Sequence, residues 1–199
     1  MDLCIWVDCD EVLCETIDEL LKFPPLSEKH IKKSGIYRYN LWEMEELNLS
    51  KEEAIHTFFS FFDTPEFFNC KPVKGAFEKV KQLKDNWCKL CVVTARPENI
   101  EERTKIWIDK FFPNIFSDFL FMNQFKDNEI PKSKLCKELW IQLLIDDNIF
   151  NILDVNKEDI KGILLDKPWN KEAIDNKYLK RVSSRNDIDL SLIENFLKN

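Results

Sequence analysis

Five short apolar runs punctuate the chain, each bounded by polar or turn-forming residues. They occupy positions 3–7, 89–93, 118–122, 142–146 and 161–165. Runs of this length without strict polar alternation are typical of strands that are buried on both faces of a parallel sheet. The pattern therefore predicts five strands in one sheet.

Helix-like segments lie between the last four runs. After Pro97, the segment 98–112 carries acidic residues near its start and apolar residues at helical spacing. Segments 133–139 and 189–197 are predicted to be shorter helices. This alternation predicts an α/β fold: a Rossmann-like core with a parallel five-stranded sheet flanked by helices.

A long insertion separates the first run from the second. About 80 residues lie between them, whereas a simple strand–helix–strand crossover needs only about 30. Within it, Ser50 and Glu53 form a capping-box pattern that begins a helix. We interpret residues 16–70 as a small helical cap and 73–86 as the helix that returns to the sheet. The core then consists of residues 1–15 and 71–199.

The charge balance limits the classes of partner. A net charge of −7 argues against a nucleic-acid polymer or an acidic membrane surface, because both require a basic protein surface. Only three glycines argue against a glycine-rich phosphate loop. No stretch approaches the ~20 apolar residues of a membrane span, and the first apolar run is too short for the core of a secretory signal.

The cysteines indicate a reducing compartment. Seven of them are scattered without a framework spacing, which favours a cytoplasmic location. Cys88 and Cys91 form a C-x-x-C pattern, but residues three apart on a strand point to opposite faces, and no second Cys or His pair lies nearby in the sequence. We therefore expect buried thiols rather than a redox or zinc site.

Polar residues follow four of the five runs. In an open parallel sheet, ligands bind in the crevice at the carboxyl ends of the strands, where these residues would meet. Close carboxylates raise one another's pKa unless a cation neutralises them, and hard oxygen ligands suit Mg²⁺. The residues are Asp8 and Asp10, then Thr94, then Asp146 and Asp147, then Asp166, with Lys132 ahead of the helix that leads to the fourth run.

The motifs "DCD", "VVTAR", "PKSK" and "IDDN" occur in this order along the chain. Their order resembles that of the haloacid dehalogenase superfamily of phosphatases, and the insertion lies where that superfamily carries a cap. Near the C-terminal end, "LLDKPWNK" and "LKRVSSRNDI" resemble the cytosolic 5′(3′)-deoxyribonucleotidase family and its bacterial relatives. This second resemblance alone singles out Trp169 and Asn170.

The resemblance implies a role for each motif. Asp8 would be the nucleophile that forms an aspartyl-phosphate, and Asp10 would protonate the leaving oxygen and later accept a proton from water. Thr94 and Lys132 would bind the transferring phosphoryl oxygens. Lys134 is the alternative to Lys132, since both precede the same helix.

The resemblance also implies a Mg²⁺ cofactor. Its ligands would be the side chain of Asp8, the backbone carbonyl of Asp10 and Asp146, with Asp147 as a supporting or alternative ligand. Asp10 favours phosphoryl transfer, because haloacid dehalogenases proper lack this acid and need no metal.

Substrate-binding candidates come from the motifs and from the insertion. Cys9 and Ala95 lie beside the catalytic candidates, and Tyr37, Tyr39 and Trp42 are candidates to stack on a nucleobase. The phenylalanines at 58, 59, 61 and 62 are expected to belong to the core, because a short helix of that density must bury most of them.

Together with the residues, the resemblance implies a Mg²⁺-dependent phosphomonoesterase, a 5′-nucleotidase acting on (deoxy)nucleoside monophosphates. Two alternatives stay open: a phosphatase for another small metabolite such as a sugar phosphate, and a weakly active or non-catalytic binding protein. Glu11 motivates the last, because many relatives have glycine there. The expected partner is a small phosphorylated substrate, and the oligomeric state is open, a homodimer included.

Overall fold

The computed structural model describes residues 3–124, 129–183 and 187–198. A six-stranded parallel sheet has the order β3-β2-β1-β4-β5-β6. The strands are β1 Cys4–Asp8, β2 Lys89–Thr94, β3 Asp118–Phe121, β4 Leu143–Asp146, β5 Lys161–Leu165 and β6 Leu179–Val182. The α-helices are α1 Thr16–Leu20, α2 Lys51–Phe62, α3 Ala76–Asp85, α4 Glu101–Phe111, α5 Lys132–Glu138, α6 Ile149–Asn156 and α7 Leu190–Lys198.

The predicted α/β class is confirmed, but the predicted strand count of five is too low by one. The sixth strand, β6, pairs with β5 at the edge of the sheet. Its sequence is Leu-Lys-Arg-Val, and the two charged residues in the middle are half-buried rather than buried. An edge strand with this composition lacks the continuous apolar run by which the other strands are recognised. Residues 184–186 of the C-terminal motif lie outside the described residues.

The winding direction of the sheet reverses between β1 and β4. From β1 the chain runs outward through β2 and β3, then returns beside β1 as β4 and runs outward the other way. At such a reversal the connecting loops diverge and leave a ligand-binding crevice at the carboxyl ends of the strands. Asp8 and Asp146, the last residues of β1 and β4, flank this crevice.

Side chains on the two faces of the sheet form two separate hydrophobic clusters. Ile5 and Val7 belong to one cluster, and Trp6 between them belongs to the other. Cys88 and Cys91 also fall in different clusters, and both thiols are free. No helix within the described residues is both long and apolar enough to cross a lipid bilayer.

The insertion between β1 and α3 contains two α-helices and several short 3₁₀ turns. The predicted capping box of α2 is present: Glu53 N donates to Ser50 Oγ at 3.1 Å, and Ser50 N donates to Glu53 Oε2 at 2.7 Å. Phe61 and Phe62 are fully buried, whereas Phe58 is half-buried. The division into a cap and a core stays a prediction.

Candidate active site

The crevice gathers three buried carboxylates from two strands. Asp8 ends β1, Asp146 ends β4, and Asp147 follows directly. One carboxylate oxygen from each residue lies within 4.8 Å of the other two. The parallel register explains the meeting, because β1 and β4 are neighbours and end at the same edge of the sheet.

Lys132, at the start of α5, lies among these carboxylates. Its Nζ donates to Asp8 Oδ1 at 2.7 Å and to Asp146 Oδ2 at 2.6 Å, and the side chain is buried. Lys134, the alternative from the sequence, is exposed. The structure therefore brings Lys132, rather than Lys134, to the predicted site.

Neighbouring donors hold Asp146 and Asp147 in place. Asp146 accepts hydrogen bonds from Asn148 N at 2.8 Å and from Asn151 Nδ2 at 3.0 Å. Asp147 accepts one from Trp169 Nε1 at 2.9 Å. These bonds fix the orientation of both carboxylates.

The electrostatics of the site favour a bound cation. Burial raises the pKa of Asp8 to about 8, with Asp146 and Asp10 adding to the shift and Lys132 opposing it. Burial also raises the pKa of Asp147 well above its usual range, and Asp146 adds to that shift. Lys132 alone does not neutralise three buried carboxylates, and Lys167, which lowers the pKa of Asp147, also pairs with Glu11. Because the donors are hard oxygens, the set fits Mg²⁺.

The carboxylate of Asp10 is not part of this group. It pairs instead with Arg96, whose Nη2 donates to Asp10 Oδ1 at 2.7 Å and whose Nε donates to Asp10 Oδ2 at 3.1 Å. The Thr16 hydroxyl also donates to Asp10 Oδ1. The metal role expected for Asp10 concerned its backbone carbonyl and stays a prediction.

Thr94 ends β2, on the other side of β1. Its side chain is fully buried, and its Oγ1 accepts a hydrogen bond from Arg96 N at 3.2 Å. The hydroxyl is therefore fixed at the carboxyl end of β2. Asp8 lies at the carboxyl end of β1, the neighbouring parallel strand.

A cavity of about 860 Å³, counting its open mouth, lies above the carboxylates. Three of the predicted substrate-binding residues, Ala95, Tyr39 and Trp42, line this cavity. Two other substrate-binding candidates do not line it: Cys9 is fully buried, and the exposed Tyr37 donates its hydroxyl to Glu46 Oε2 at 2.8 Å. Asp8, Asp10 and Asp147 also line the cavity, together with Phe58, Ile55 and Trp169.

A family model described as "5' nucleotidase, deoxy (Pyrimidine), cytosolic type C protein" matches residues 2–195. The chain belongs to this nucleotidase family. Membership makes it a phosphoric monoester hydrolase of the haloacid dehalogenase superfamily. The resemblance inferred from the sequence motifs is thereby confirmed.

Two bacterial proteins, each named "Putative nucleotidase", are similar to the chain. The one from Oceanobacillus iheyensis is 28% identical over 131 residues, which cover 65% of this chain and 68% of that protein. The one from Bacillus cereus is 29% identical over 135 residues, which cover 67% of this chain and 65% of that protein. The chain thus aligns with about two thirds of each relative.

Solved structures share the fold at low sequence identity. A predicted phosphatase from Clostridium acetobutylicum has a TM-score of 0.68 and 17% identity, with both chains fully covered. A haloacid dehalogenase superfamily hydrolase from Geobacter sulfurreducens has a TM-score of 0.59 and 15% identity, covering 98% of this chain and 96% of that one. These likenesses support the α/β fold.

In this member of the nucleotidase family, Glu11 has an unusual backbone conformation and a carboxylate that pairs with two lysines. Its backbone φ is 60°, a left-handed conformation that glycine adopts most easily. Its carboxylate accepts a hydrogen bond from Ile17 N at 2.9 Å and forms ion pairs with Lys33 at 2.8 Å and Lys167 at 3.1 Å. Glu11 thereby joins the insertion to the loop after β5.

The site also contains Arg96 and Thr16, which the sequence pattern does not indicate. Arg96 stands in the motif "VVTAR", so its position was visible, but no spacing rule connects it with a carboxylate 86 residues away. Trp169 and Asn170, singled out by resemblance, both contact Asp147: the indole donates to its side chain, and Asn170 Nδ2 donates to its backbone carbonyl at 2.8 Å.

Proposed function

We propose that the protein is a Mg²⁺-dependent 5′-nucleotidase that hydrolyses (deoxy)nucleoside monophosphates through an aspartyl-phosphate intermediate. The observation that carries the proposal is the group of three buried carboxylates with Lys132 at the base of a cavity. Asp8 belongs to this group and also lines the cavity, so it can both touch a bound cation and meet a substrate.

In the first step, an oxygen of Asp8 attacks phosphorus in line with the ester bond. The bond between phosphorus and the nucleoside oxygen breaks, and Asp10 gives its proton to that oxygen, so that the nucleoside leaves as an alcohol. When bound to the carboxylates of Asp8, Asp146 and Asp147, Mg²⁺ would supply positive charge beside the transferring phosphoryl group.

In the second step, water attacks the phosphorus of the aspartyl-phosphate. Asp10, now a carboxylate, accepts a proton from this water, and the bond between phosphorus and the Asp8 oxygen breaks. Inorganic phosphate is released, and both aspartates return to their starting states. One carboxyl group therefore serves as acid and then as base.

Lys132 and Thr94 would stabilise the charge on the phosphoryl group. The ammonium of Lys132, 2.7 Å from Asp8 Oδ1, orients the nucleophile and places a positive charge where the phosphoryl oxygens arrive. The hydroxyl of Thr94 is a fixed dipole at the neighbouring strand end.

Aromatic walls favour a nucleotide among the candidate phosphate esters. Tyr39, Trp42 and Phe58 line the cavity, and all three come from the segment 16–70 that we propose as the cap. A sugar phosphate would use little of this apolar surface, so we expect it to be a weaker substrate.

The test is phosphate release from a panel of deoxynucleoside, nucleoside and sugar monophosphates, with Mg²⁺ and with chelator. We expect release to be strongest on nucleotides and to stop with chelator. Asp8→Asn should lower turnover by about 10⁴-fold, because it removes the nucleophile. Asp166→Asn is the matched control, since Asp166 also follows a strand but pairs with Lys171 and Arg181, away from the carboxylate group.

Each other outcome has a distinct meaning. Release from sugar phosphates alone would keep the chemistry and overturn the substrate class. Release that survives chelation would contradict the Mg²⁺ requirement. No release from any phosphate ester would leave a binding role as the better explanation of the fold.

A further inference from the structure

Arg96 is a fully buried arginine in the loop after β2. Burying a guanidinium is strongly unfavourable unless its charge is paired and its donors are satisfied. The groups that pair it therefore indicate what the arginine does. Its partner is the carboxylate of Asp10, the proposed acid and base of the reaction.

The contact between the two side chains is bidentate. Nε and Nη2 of Arg96 donate to the two oxygens of Asp10 at 3.1 and 2.7 Å. Two parallel bonds fix both the position and the plane of a carboxylate, which a single bond does not. Asp10 remains 20% exposed and lines the cavity, so this contact determines how its carboxyl group faces a substrate.

Arg96 is itself held rigidly. Its Nη1 donates to Thr104 Oγ1 at 3.2 Å, and its guanidinium lies 4.6 Å from the ring centroid of Phe62 and 4.9 Å from that of Phe67. Its backbone N donates to Thr94 Oγ1. These contacts therefore hold the guanidinium group of Arg96 toward Asp10.

We propose that Arg96 is a positioning residue that holds the carboxyl group of Asp10 toward the leaving-group oxygen and the attacking water. The proposal rests on the proposed function and adds a residue to its machinery. Arg96 acts through Asp10 and does not itself touch the phosphoryl group. Lysine at this position would keep the charge but lose the planar fork, which would free the Asp10 side chain to rotate.

The test compares two leaving groups in Arg96→Lys. An alkyl phosphate, such as the best nucleoside monophosphate, needs a proton on its leaving oxygen, whereas p-nitrophenyl phosphate releases a stable phenolate without one. We expect the rate at which the leaving group is released in the first turnover to fall about 10²-fold for the alkyl phosphate, which is the usual contribution of a positioned acid. For p-nitrophenyl phosphate the same rate should fall by less than about tenfold. Asp10→Asn should show the same selectivity.

Arg103→Lys is the matched control. Arg103 also contacts the insertion, with Nη1 donating to Phe62 O and to Thr64 O at 3.0 Å, but it forms no hydrogen bond with Asp10 and does not line the cavity. We expect its ratio of rates on the two substrates to equal the wild-type ratio. Adding Arg96→Lys to Asp10→Asn should lower the rate by no more than about twofold further, because both changes act on one group.

Equal losses on both substrates, or no loss, in a folded Arg96→Lys would overturn the proposal. If that variant does not fold, Thr104→Val carries the same test, since it loosens Arg96 without touching Asp10. If the wild type hydrolyses no phosphate ester, the proposed function has failed separately. Crystal structures of the wild type and Arg96→Lys then decide the inference, and an unmoved Asp10 carboxylate would overturn it.

Discussion

Glu11 combines a backbone conformation that suits glycine with contacts that glycine cannot make. A left-handed φ is unfavourable by roughly 1–2 kcal/mol for a residue with a Cβ. The ion pairs to Lys33 and Lys167 and the bond from Ile17 N offset this strain. The acid beside the nucleophile motif therefore has a structural explanation that does not involve catalysis.

We expect Glu11→Gln to lower the free energy of unfolding by about 1–2 kcal/mol, measured by urea denaturation at pH 7. The change leaves two ammonium groups without their shared negative charge, which costs less here than in a dry core because Lys33 is 24% exposed. Lys22→Gln, which removes an exposed ion pair with Glu19, is the control and should change stability by less than about 0.5 kcal/mol. Equal effects of the two changes would contradict the structural role.

The destabilisation by Glu11→Gln should become smaller as pH rises through the alkaline range. Burial alone lowers the pKa of Lys33, but Glu11 and Asp18 more than offset burial and hold it above its ordinary value. A lysine pKa that folding raises stabilises the protein below the unfolded value of about 10.4, and this contribution disappears as pH rises through the folded value. Unfolding curves at pH 7, 9 and 11 check this, and a difference that grows toward pH 11 would contradict it.

At the scale of elements, the contact between α6 and β5 depends on a residue without a side chain. A Cβ built on Gly162 would lie 2.5 Å from Cγ2 and 2.7 Å from Cδ1 of Ile152, which is fully buried on α6. The helix can approach the strand this closely only because position 162 is glycine.

Gly162→Ala should lower the free energy of unfolding by about 1–3 kcal/mol, because the added Cβ would overlap the buried side chain of Ile152. Gly35→Ala is the control, since its Cβ would meet only Ile31 Cγ2 at an ordinary 3.4 Å. Thermal or urea denaturation measures both. Adding Ile152→Val to Gly162→Ala should recover part of the loss, and a neutral Gly162→Ala would contradict the packing described.

The elements that the sequence predicts well are those with a local signal. Four buried strands of the sheet interior and the capping box of α2 follow from short patterns that tertiary contacts only reinforce. The edge strand β6 does not, because charged residues occupy half of it and its pairing with β5 is decided by the rest of the sheet. The 3₁₀ turns of the insertion likewise follow no periodic pattern of apolar residues, so the sequence does not predict them.

At the scale of the whole molecule, the positions of the site residues were predictable to the extent that the parallel sheet dictates them. Strand ends in such a sheet meet at one edge, so Asp8, Thr94 and Asp146 had to be neighbours once the strands were recognised. Contacts between side chains from distant elements were not predictable. Tyr37 and Tyr39 are two residues apart, yet only Tyr39 lines the cavity, because irregular turns orient them.

The group of three buried carboxylates predicts that a divalent cation stabilises the whole fold. Only the folded chain brings Asp8, Asp146 and Asp147 together, so a cation that binds them shifts the unfolding equilibrium. At a concentration of about 100 times the dissociation constant, the gain is about 2.7 kcal/mol. For a chain of this size, each kcal/mol raises the melting temperature by about 2–4 °C.

Melting the protein with Mg²⁺ and then with chelator should therefore give a difference of about 5–10 °C in the wild type. Asp146→Asn should abolish the difference, because it removes a ligand, whatever its own effect on the metal-free melting temperature. Asp166→Asn should preserve it, because Asp166 lies outside the carboxylate group. This measurement is independent of turnover: a wild type that melts identically with Mg²⁺ and with chelator would contradict the metal site even if the protein hydrolysed phosphate esters.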